Sequence, residues 1–461
     1  MAVKAIGGHS YPSRIRIAIV LVRTVRFVLP SSILALSFSS PASAGEPDAT
    51  ENVAVHGQAT FVWQYHPAFA SPYRGPNSLD PGSRGEETFD ATVYLGARLW
   101  RGMELSINPE IDQGFGLSDT RGLAGFPSGE AYKVGKSAAY LRLQRLFLRQ
   151  RLDLGGEAQD VQPAANQLGG ETTADNIVFT LGKFSAVDIF DTNAFAHDPR
   201  ADFLNWSIID AGAYDYAADA WGYSYGVAAE WTQNWWTLRA GLFDLSRIPN
   251  TTALETDFAQ FEIVTEFEER HSWFGQPGKL KVLGFLNRGR MGSYGDAIAF
   301  AQKTGVAPDT ALVRDHASRP GAAINLEQTL GEGVGLFARF SFNDGSQEAF
   351  EFTEINRSLS LGLSLNGSRW ARSHDIFGLA TAVNALSTAA RRYFAAGGPG
   401  ILIGDGQLPH YGYETILETY YSAQLTDWLA ASADYQFVVN PAYARDRGPV
   451  SIIAARLHAQ L

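Results

Sequence analysis

Alternation of apolar and polar residues with a period of two is the feature that most constrains this chain. In residues 89–99 the odd positions carry Phe, Ala, Val, Leu, Ala and Leu, whereas the even positions carry Asp, Thr, Tyr, Gly and Arg. Successive side chains of a β-strand point to opposite faces, so such a segment predicts a strand with one apolar and one polar face. Segments of about ten residues are long enough for a tilted strand to cross an outer membrane.

The pattern recurs along the chain and predicts an all-β fold: a transmembrane antiparallel β-barrel of about sixteen strands, with long extracellular loops of which at least one folds into the lumen. The strands are predicted near residues 54–65, 88–99, 102–111, 145–154, 176–184, 221–231, 235–243, 258–269, 280–287, 322–330, 334–342, 358–365, 376–386, 414–425, 428–440 and 450–461. Short connections alternate with long ones, as in outer-membrane barrels. The connection 155–175 is too long for this scheme, and indicates a periplasmic insertion or a misplaced strand.

A soluble β-sandwich or β-helix is the alternative, because its strands also alternate but bury their apolar faces in a core. The positions of aromatic residues favour the membrane barrel. Aromatic rings lie near predicted strand ends, where they would form girdles at the membrane surfaces. These are Trp221, Tyr223, Tyr225, Trp231, Trp235, Trp236, Tyr420, Tyr421, Trp428 and Tyr435.

The N-terminal region resembles a secretory signal. Five basic residues and no acidic ones occur in residues 1–44, with an apolar stretch at 27–36 and a small-residue run ending at Ala44. We therefore predict a signal peptide over 1–44, a short periplasmic segment over 45–53 and the barrel over 54–461. Removal of 1–44 leaves 32 basic against 48 acidic residues, so nucleic acid is not expected as a partner. The absence of Cys excludes thiol catalysis and disulfides.

Longer segments resemble the OprB-type carbohydrate-selective porins. The similarity extends from about residue 54 to the C-terminus and includes LGKFSAVDIFDTNAFAHDPRADFLNW (181–206) and FARFSFNDGSQEAFEFTEI (337–355). The resemblance implies a sixteen-stranded barrel with loops folded into its mouth, and passive uptake of sugars across the bacterial outer membrane. Barrels of this kind usually end in Phe, whereas this chain ends in Leu461, which retains a large apolar residue for the barrel-assembly machinery.

A sugar pore needs polar groups that bind weakly and repeatedly along a wet passage. The predicted inward faces supply these pore-lining candidates: Asp90, Tyr94, Arg98, Asn108, Glu110, Asp112, Glu230, Arg239, Glu262, Arg339, Asp434 and Arg456. The alternative is that these groups only pair with one another inside the barrel.

The 185–220 connection combines aromatic rings with charged and amide side chains. Sugars present apolar C–H faces beside hydroxyl groups, so such a combination suits an eyelet. We predict that this loop folds inward and forms the constriction, with Asp198, Arg200, Asn205 and Trp206 as sugar contacts. Gly114-Phe115-Gly116, in the 112–144 loop, is a candidate for a second segment that folds into the lumen.

The leading functional hypothesis is passive diffusion of mono- and oligosaccharides into the periplasm. A general diffusion porin for small polar solutes is the alternative within the transport class, and a barrel-borne enzyme or a plugged adhesin are the rivals from other classes. We expect no catalytic residue, cofactor or metal. The expected partners are carbohydrates, outer-membrane lipid and the barrel-assembly machinery, and both monomer and homotrimer stay open.

Overall fold

The computed structural model describes residues 50–131 and 133–461. The predicted signal peptide and most of the 45–53 segment lie outside these residues. Within the described part, the chain forms sixteen strands: β1 (Val53–His66), β2 (Arg84–Trp100), β3 (Met103–Gly114), β4 (Lys136–Val161), β5 (Gly170–Phe184), β6 (Ser224–Gln233), β7 (Trp236–Asp244), β8 (Phe261–Trp273), β9 (Gln276–Gly292), β10 (Arg314–Gly331), β11 (Val334–Asn343), β12 (Arg357–Gly367), β13 (Arg372–Ala385), β14 (Glu414–Thr426), β15 (Leu429–Val439) and β16 (Val450–Gln460).

The strands close into one antiparallel barrel in which each strand pairs with its sequence neighbours and β1 pairs with β16. At the closure, Phe61 lies opposite Leu457 and Val62 lies opposite Arg456. Closure leaves no unpaired sheet edge, as a membrane-spanning sheet requires. The predicted barrel and its sixteen strands are therefore confirmed.

Strand parity separates an apolar outer surface from a polar interior. On β2 the outward side chains of Phe89 and Val93 are 37% and 42% exposed, whereas the inward Asp90 and Thr92 are 4% and 3% exposed. An outer surface of this kind suits hydrocarbon, and the inner one suits water and polar loops. No helix in residues 50–131 and 133–461 is long and apolar enough to span a bilayer.

Both described termini lie at one end of the barrel, which we call the terminal end, together with the short turns. The longer loops lie at the opposite end, the loop end, and carry three helices: α1 (Trp206–Ile209), α2 (Tyr294–Thr304) and α3 (Thr388–Ala395). The Ser293 and Ser387 side chains cap α2 and α3 by accepting backbone N–H bonds, which satisfies donors left free at a helix start.

Two loops from the loop end fill much of the interior. The β5–β6 loop (residues 185–223) follows β5 and is almost continuously buried from residue 203 to 220. The β3–β4 loop (residues 115–135) also enters, because the Gly125 N–H donates to Glu414 on β14 at 2.6 Å. The predicted inward folding of 185–220 is confirmed. The inserted part of the second loop lies near 123–131, farther along than the predicted Gly114–Gly116.

The anomalous 155–175 connection is explained by longer strands. β4 extends to Val161 and β5 begins at Gly170, so that only residues 162–169 form the turn. No strand was misplaced. The connection is a long hairpin at the terminal end.

Some of the predicted girdle rings do not face lipid. Tyr225, Trp231 and Trp235 are 44%, 46% and 55% exposed, in agreement with the prediction. Tyr223 and Tyr420 are only 6% and 2% exposed, because Tyr223 precedes β6 and Tyr420 points inward on β14.

Candidate functional site

A cavity of about 540 Å³ lies inside the barrel between the β5–β6 loop and the wall. The cavity wall contains arginines, carboxylates and aromatic rings. Its principal side chains are Glu130, Arg145, Arg149, Asp188, Asp198, Arg200, Trp206, Asp210, Tyr216, Trp221 and Tyr223. The volume falls within the roughly 300–1,000 Å³ of small-molecule sites.

Arg200 is the central cation of this cavity. Its guanidinium lies 3.4 Å from Asp90 on β2, 3.5 Å from Glu110 on β3, 3.6 Å from Glu130 and 4.0 Å from Asp198. Asp90, Glu110, Asp198 and Arg200 are predicted candidates, whereas Glu130 was not predicted. The residues come from two strands and two loops, and the fold brings them together. None of the four distances describes a tight bidentate pair, so guanidinium N–H groups remain for further hydrogen bonds.

The charge of Arg200 is maintained by its neighbours. Burial disfavours the charged form, but attraction to Glu130, Asp90 and Glu110 outweighs burial and holds the pKa of Arg200 well above its usual value. Arg200 is therefore cationic at any physiological pH. A fixed charge with spare donors can orient the hydroxyl groups of a neutral solute.

A second arginine is held more tightly. Arg145 on β4 donates from Nε and Nη2 to the two carboxylate oxygens of Asp188, at 2.8 and 2.5 Å. Its guanidinium also lies over the Tyr223 ring, 5.0 Å from the centroid. This bidentate pair fixes the start of the β5–β6 loop against the wall.

Stacked rings form an apolar part of the cavity wall. The Trp206 ring lies 5.2 Å from Phe126 and 5.4 Å from Phe352, with an interplanar angle of 18° in both pairs. Tyr216 packs on the other side of this group, 4.1 Å from Phe352. The rings are held by one another and are only 3–7% exposed, so they form a rigid, apolar part of the cavity wall.

The β5–β6 loop covers several predicted pore-lining candidates, and these side chains bind the loop. Glu262 accepts from the Tyr214 hydroxyl and the Ala217 N–H at 2.9 and 3.0 Å. Arg339 pairs with Asp191 at 3.1 Å and donates to the Ile208 carbonyl at 2.9 Å.

Asn205, Asp434 and Arg456 are covered in the same way. Asn205 is fully buried and caps α1, accepting from the Ser207 N–H at 3.1 Å. Arg456 donates to three loop carbonyls, those of residues 199, 201 and 202, at 2.6–2.9 Å. Asp434 is 5% exposed and accepts from Gln436 at 3.4 Å. The inward direction of Asp434 and Arg456 agrees with strand parity. Arg456 holds the loop, whereas Asp434 bonds to Gln436 on its own strand.

Three other candidates contact the β4–β5 hairpin, which enters the barrel from the terminal end. Tyr94 is 1% exposed and stacks on His56. Arg98 pairs with Glu104 at 3.0 Å, and Asn108 donates to Asn166 of the β4–β5 hairpin at 2.5 Å. Each of these side chains contacts the hairpin: Tyr94 packs with Leu168, Arg98 donates to the Gly169 carbonyl, and Asn108 donates to Asn166.

The remaining candidates lie on the wall outside the cavity lining. Arg239 is bound by three glutamates, Glu230, Glu266 and Glu268, at 3.1, 2.8 and 3.0 Å. Asp112 is 1% exposed and lies on the same face of β3 as Glu110. No group of His, Asp and Glu side chains in the described part of the chain is arranged to hold a metal ion.

The sequence interpretation missed Arg145, Arg149 and Tyr216. At Asn108 and Pro109 the register of β3 with β4 shifts, so that Gln144 is an extra residue and both Gln144 and Arg145 are buried inside. The outward leucines at 146 and 148 could have revealed the parity of Arg145 and Arg149. No pattern in the sequence around Tyr216 predicts that this side chain lines the cavity.

The comparisons with known proteins agree with this architecture. The sequence matches the family described as carbohydrate-selective porin, OprB family, over residues 77–461. No curated protein matches it. Among solved structures, the high-pH structure of Pseudomonas putida OprB is similar, with a TM-score of 0.65 and 13% identity over 89% of this chain and 94% of that one.

The outer-membrane channel DcaP of Acinetobacter baumannii is also similar, with a TM-score of 0.51 and 9% identity over 89% of this chain and 97% of that one. At these identities the structural matches establish the fold, and the family match carries the assignment. The family and the barrel together point to a channel of the outer membrane. This chain belongs to the carbohydrate-selective porin, OprB family.

Proposed function

We propose that the protein lets mono- and oligosaccharides diffuse passively through the outer membrane into the periplasm, and that the cavity around Arg200 is where the sugar is bound. In this proposal the terminal end faces the periplasm and the loop end faces the exterior. The observation that carries the proposal is the pairing of an apolar ring surface with a fixed cation in one cavity. Trp206 and Tyr216 supply the rings, and Arg200 supplies the cation.

The arrangement suits a neutral polyol better than an anion. Four carboxyl groups surround Arg200, so its positive charge is offset and would not attract an anion, while its N–H groups can donate to neutral hydroxyls. A sugar can place its C–H groups against the apolar wall that Trp206 and Tyr216 help to form, and its hydroxyls near Arg200 and Asp198. Asp198 is the most accessible of these acids, with half of its side chain exposed. Binding of this kind is weak, as transport requires.

The test is conductance in planar bilayers with glucose or maltose added stepwise. A binding pore shows a saturable fall in ion current, because a bound sugar obstructs the ion path. A current that falls only in proportion to solution viscosity would identify the general diffusion porin instead. Absence of any channel would contradict the proposal and favour a plugged barrel.

A further inference from the structure

The β4–β5 hairpin at the terminal end is longer than the barrel wall needs. β3 begins at Met103, opposite Gln150, so residues 151–161 of β4 continue past the end of the neighbouring strand. On the other side, β6 pairs with β5 only as far as Asn176. The hairpin from 151 to 175 therefore extends beyond the wall, where a short turn would close the strands.

This hairpin bends back into the barrel. Gly155 and Gly156 have φ values of 118° and 90°, in the region that other residues rarely adopt, and the pairing of β4 with β5 is interrupted there. A bulge of this kind bends a strand pair. We call the paired residues 151–161 and 170–175 the stem of the hairpin. The stem and the barrel wall line a second cavity of about 630 Å³, so the stem is separated from the wall there.

The end of the hairpin is bound to the inner wall. Leu168 is 1% exposed and packs with Ala54 and Tyr94. The Gly169 N–H donates to the Glu51 carboxylate at 2.7 Å, and Arg98 donates to the Gly169 carbonyl at 3.1 Å.

The tip (Ala164–Gln167) reaches farther in. The Ala164 carbonyl lies 2.5 Å from Nδ1 of His56, and Asn166 accepts from Asn108 at 2.5 Å. Asn108 lies five residues along β3 from Met103, which is about 16 Å at ~3.3 Å per residue. The tip is thus deep in the lumen, and it lines the cavity that contains Arg200 and Trp206.

The charge distribution along the hairpin matches this placement. Residues 162–169 carry no charged side chain, whereas the exposed stem carries Glu157, Asp160 and Glu171. A neutral tip avoids placing an unpaired charge inside the barrel. Its amide and backbone groups can exchange hydrogen bonds with hydroxyls without attracting ions.

We propose that the tip of the β4–β5 hairpin is a second filter of the pore, on the periplasmic side of the Arg200 cavity, which selects solutes by size through the neutral side chain of Asn166. The proposal rests on the proposed passage of sugars through this lumen. A solute leaving the cavity toward the terminal end meets the tip, and a longer oligosaccharide must pass the tip while still in contact with Trp206. The tip therefore favours short sugars over long ones.

The chain has no Cys, so single cysteines report their own positions. We would compare Asn166→Cys at the tip with Gln159→Cys on the exposed stem, each treated with a cationic methanethiosulfonate in planar bilayers. Modification of Asn166→Cys is expected to lower single-channel conductance by roughly half, because it places bulk and charge in the ion path. The Gln159→Cys control is expected to conduct unchanged. Equal conductance before and after complete modification of Asn166→Cys would overturn the proposal.

A second variant lacks residues 157–173, so that Gly155-Gly156 and Ala174-Asp175 close a short turn. In liposome swelling, its rate for a disaccharide relative to a monosaccharide is expected to rise several-fold, and an unchanged ratio would overturn the size filter. Measurements on the parent protein distinguish failure of the transport proposal from failure of the filter proposal. If it conducts ions but passes no sugar, the transport proposal fails whatever the tip does. If it passes sugar while both hairpin variants behave as the parent, the filter alone fails.

Discussion

At the scale of single residues, the interior of the barrel uses arginine in three ways. Arg239 is fully matched by three glutamates on neighbouring strands, Arg339 and Arg456 hold a loop, and Arg200 faces the cavity. Strand parity predicted that Arg239, Arg339 and Arg456 point inward. Which of them binds the β5–β6 loop depends on where that loop covers the barrel wall.

Replacement of Arg200 by Ala is expected to weaken sugar block of the ion current at least ~10-fold, about 1.4 kcal/mol of binding. The change removes the cavity's central donor, and leaves Asp90, Glu110 and Glu130 without their cation. Cation selectivity should therefore rise as well. Current block and reversal potential in planar bilayers measure the two effects.

Arg239→Ala is the matched control, because Arg239 is also bound by several carboxylates but does not line the cavity. It should retain sugar block. Equal loss of block in both variants would mean that the effect is a general one of interior charge, and would remove Arg200 from the binding site.

Asp210 makes the cavity sensitive to pH. Burial, reinforced by Asp191, raises the pKa of Asp210 to about 8, although Arg339 opposes the shift. Burial also lowers the pKa of the nearby His197, so both groups are neutral at pH 7. The folded protein thus keeps the Asp210 proton below about pH 8 and releases it above, which adds one negative charge to the cavity wall.

We expect cation selectivity to increase as the pH rises through about 8, as measured by the reversal potential in a salt gradient. Asp210→Asn has no proton to lose, so the part of the pH response due to Asp210 should be absent. Identical pH profiles for Asp210→Asn and the parent would show that Asp210 does not titrate in this range.

At the scale of elements, the β5–β6 loop determines the interior. Its backbone N–H groups donate hydrogen bonds to carboxylates of the wall. For example, Glu418 accepts from the N–H groups of Leu204 and Asn205 at 2.5 and 3.0 Å. The residue types of 185–220 predicted inward folding correctly. They did not predict the anchors, because each anchor is separated from the loop by many residues along the chain.

Arg339→Leu is expected to loosen this loop. Removing the guanidinium leaves Asp191 buried without its cation, which costs about 3–5 kcal/mol for a broken buried pair. Since the barrel is held by its strand pairing, the loop should detach before the wall opens. Limited proteolysis within 185–223 and current noise should both increase.

The control for this variant is Arg101→Leu, whose side chain is 92% exposed and pairs with Asp153 at 3.3 Å at the terminal end. An exposed pair contributes little, so this variant should behave as the parent. If proteolysis cleaves the β5–β6 loop no faster in Arg339→Leu than in Arg101→Leu, the Asp191–Arg339 pair is not the principal anchor of the loop.

At the scale of the whole molecule, the barrel is the part that the chain's pattern defines most directly. Period-two alternation assigns each side chain of a strand to the outer or the inner face, and short turns define which strands pair. The outward Leu457 is 48% exposed and the inward Arg456 is 2% exposed, as alternation required. A register shift, such as the one at Gln144, breaks this rule locally, and β4 shows the consequence for Arg145.

The sequence by itself determined the closed sheet, the direction of its side chains and the insertion of the aromatic β5–β6 loop, because these follow from local periodicity and composition. Only the tertiary structure decided which inward groups face the cavity. It placed Arg200 among acids from β2 and β3, covered Glu262 and Arg339, and brought Asn166 to Asn108. Those contacts join residues that are far apart along the chain, and they depend on where loops return inside a closed wall, which no local pattern encodes.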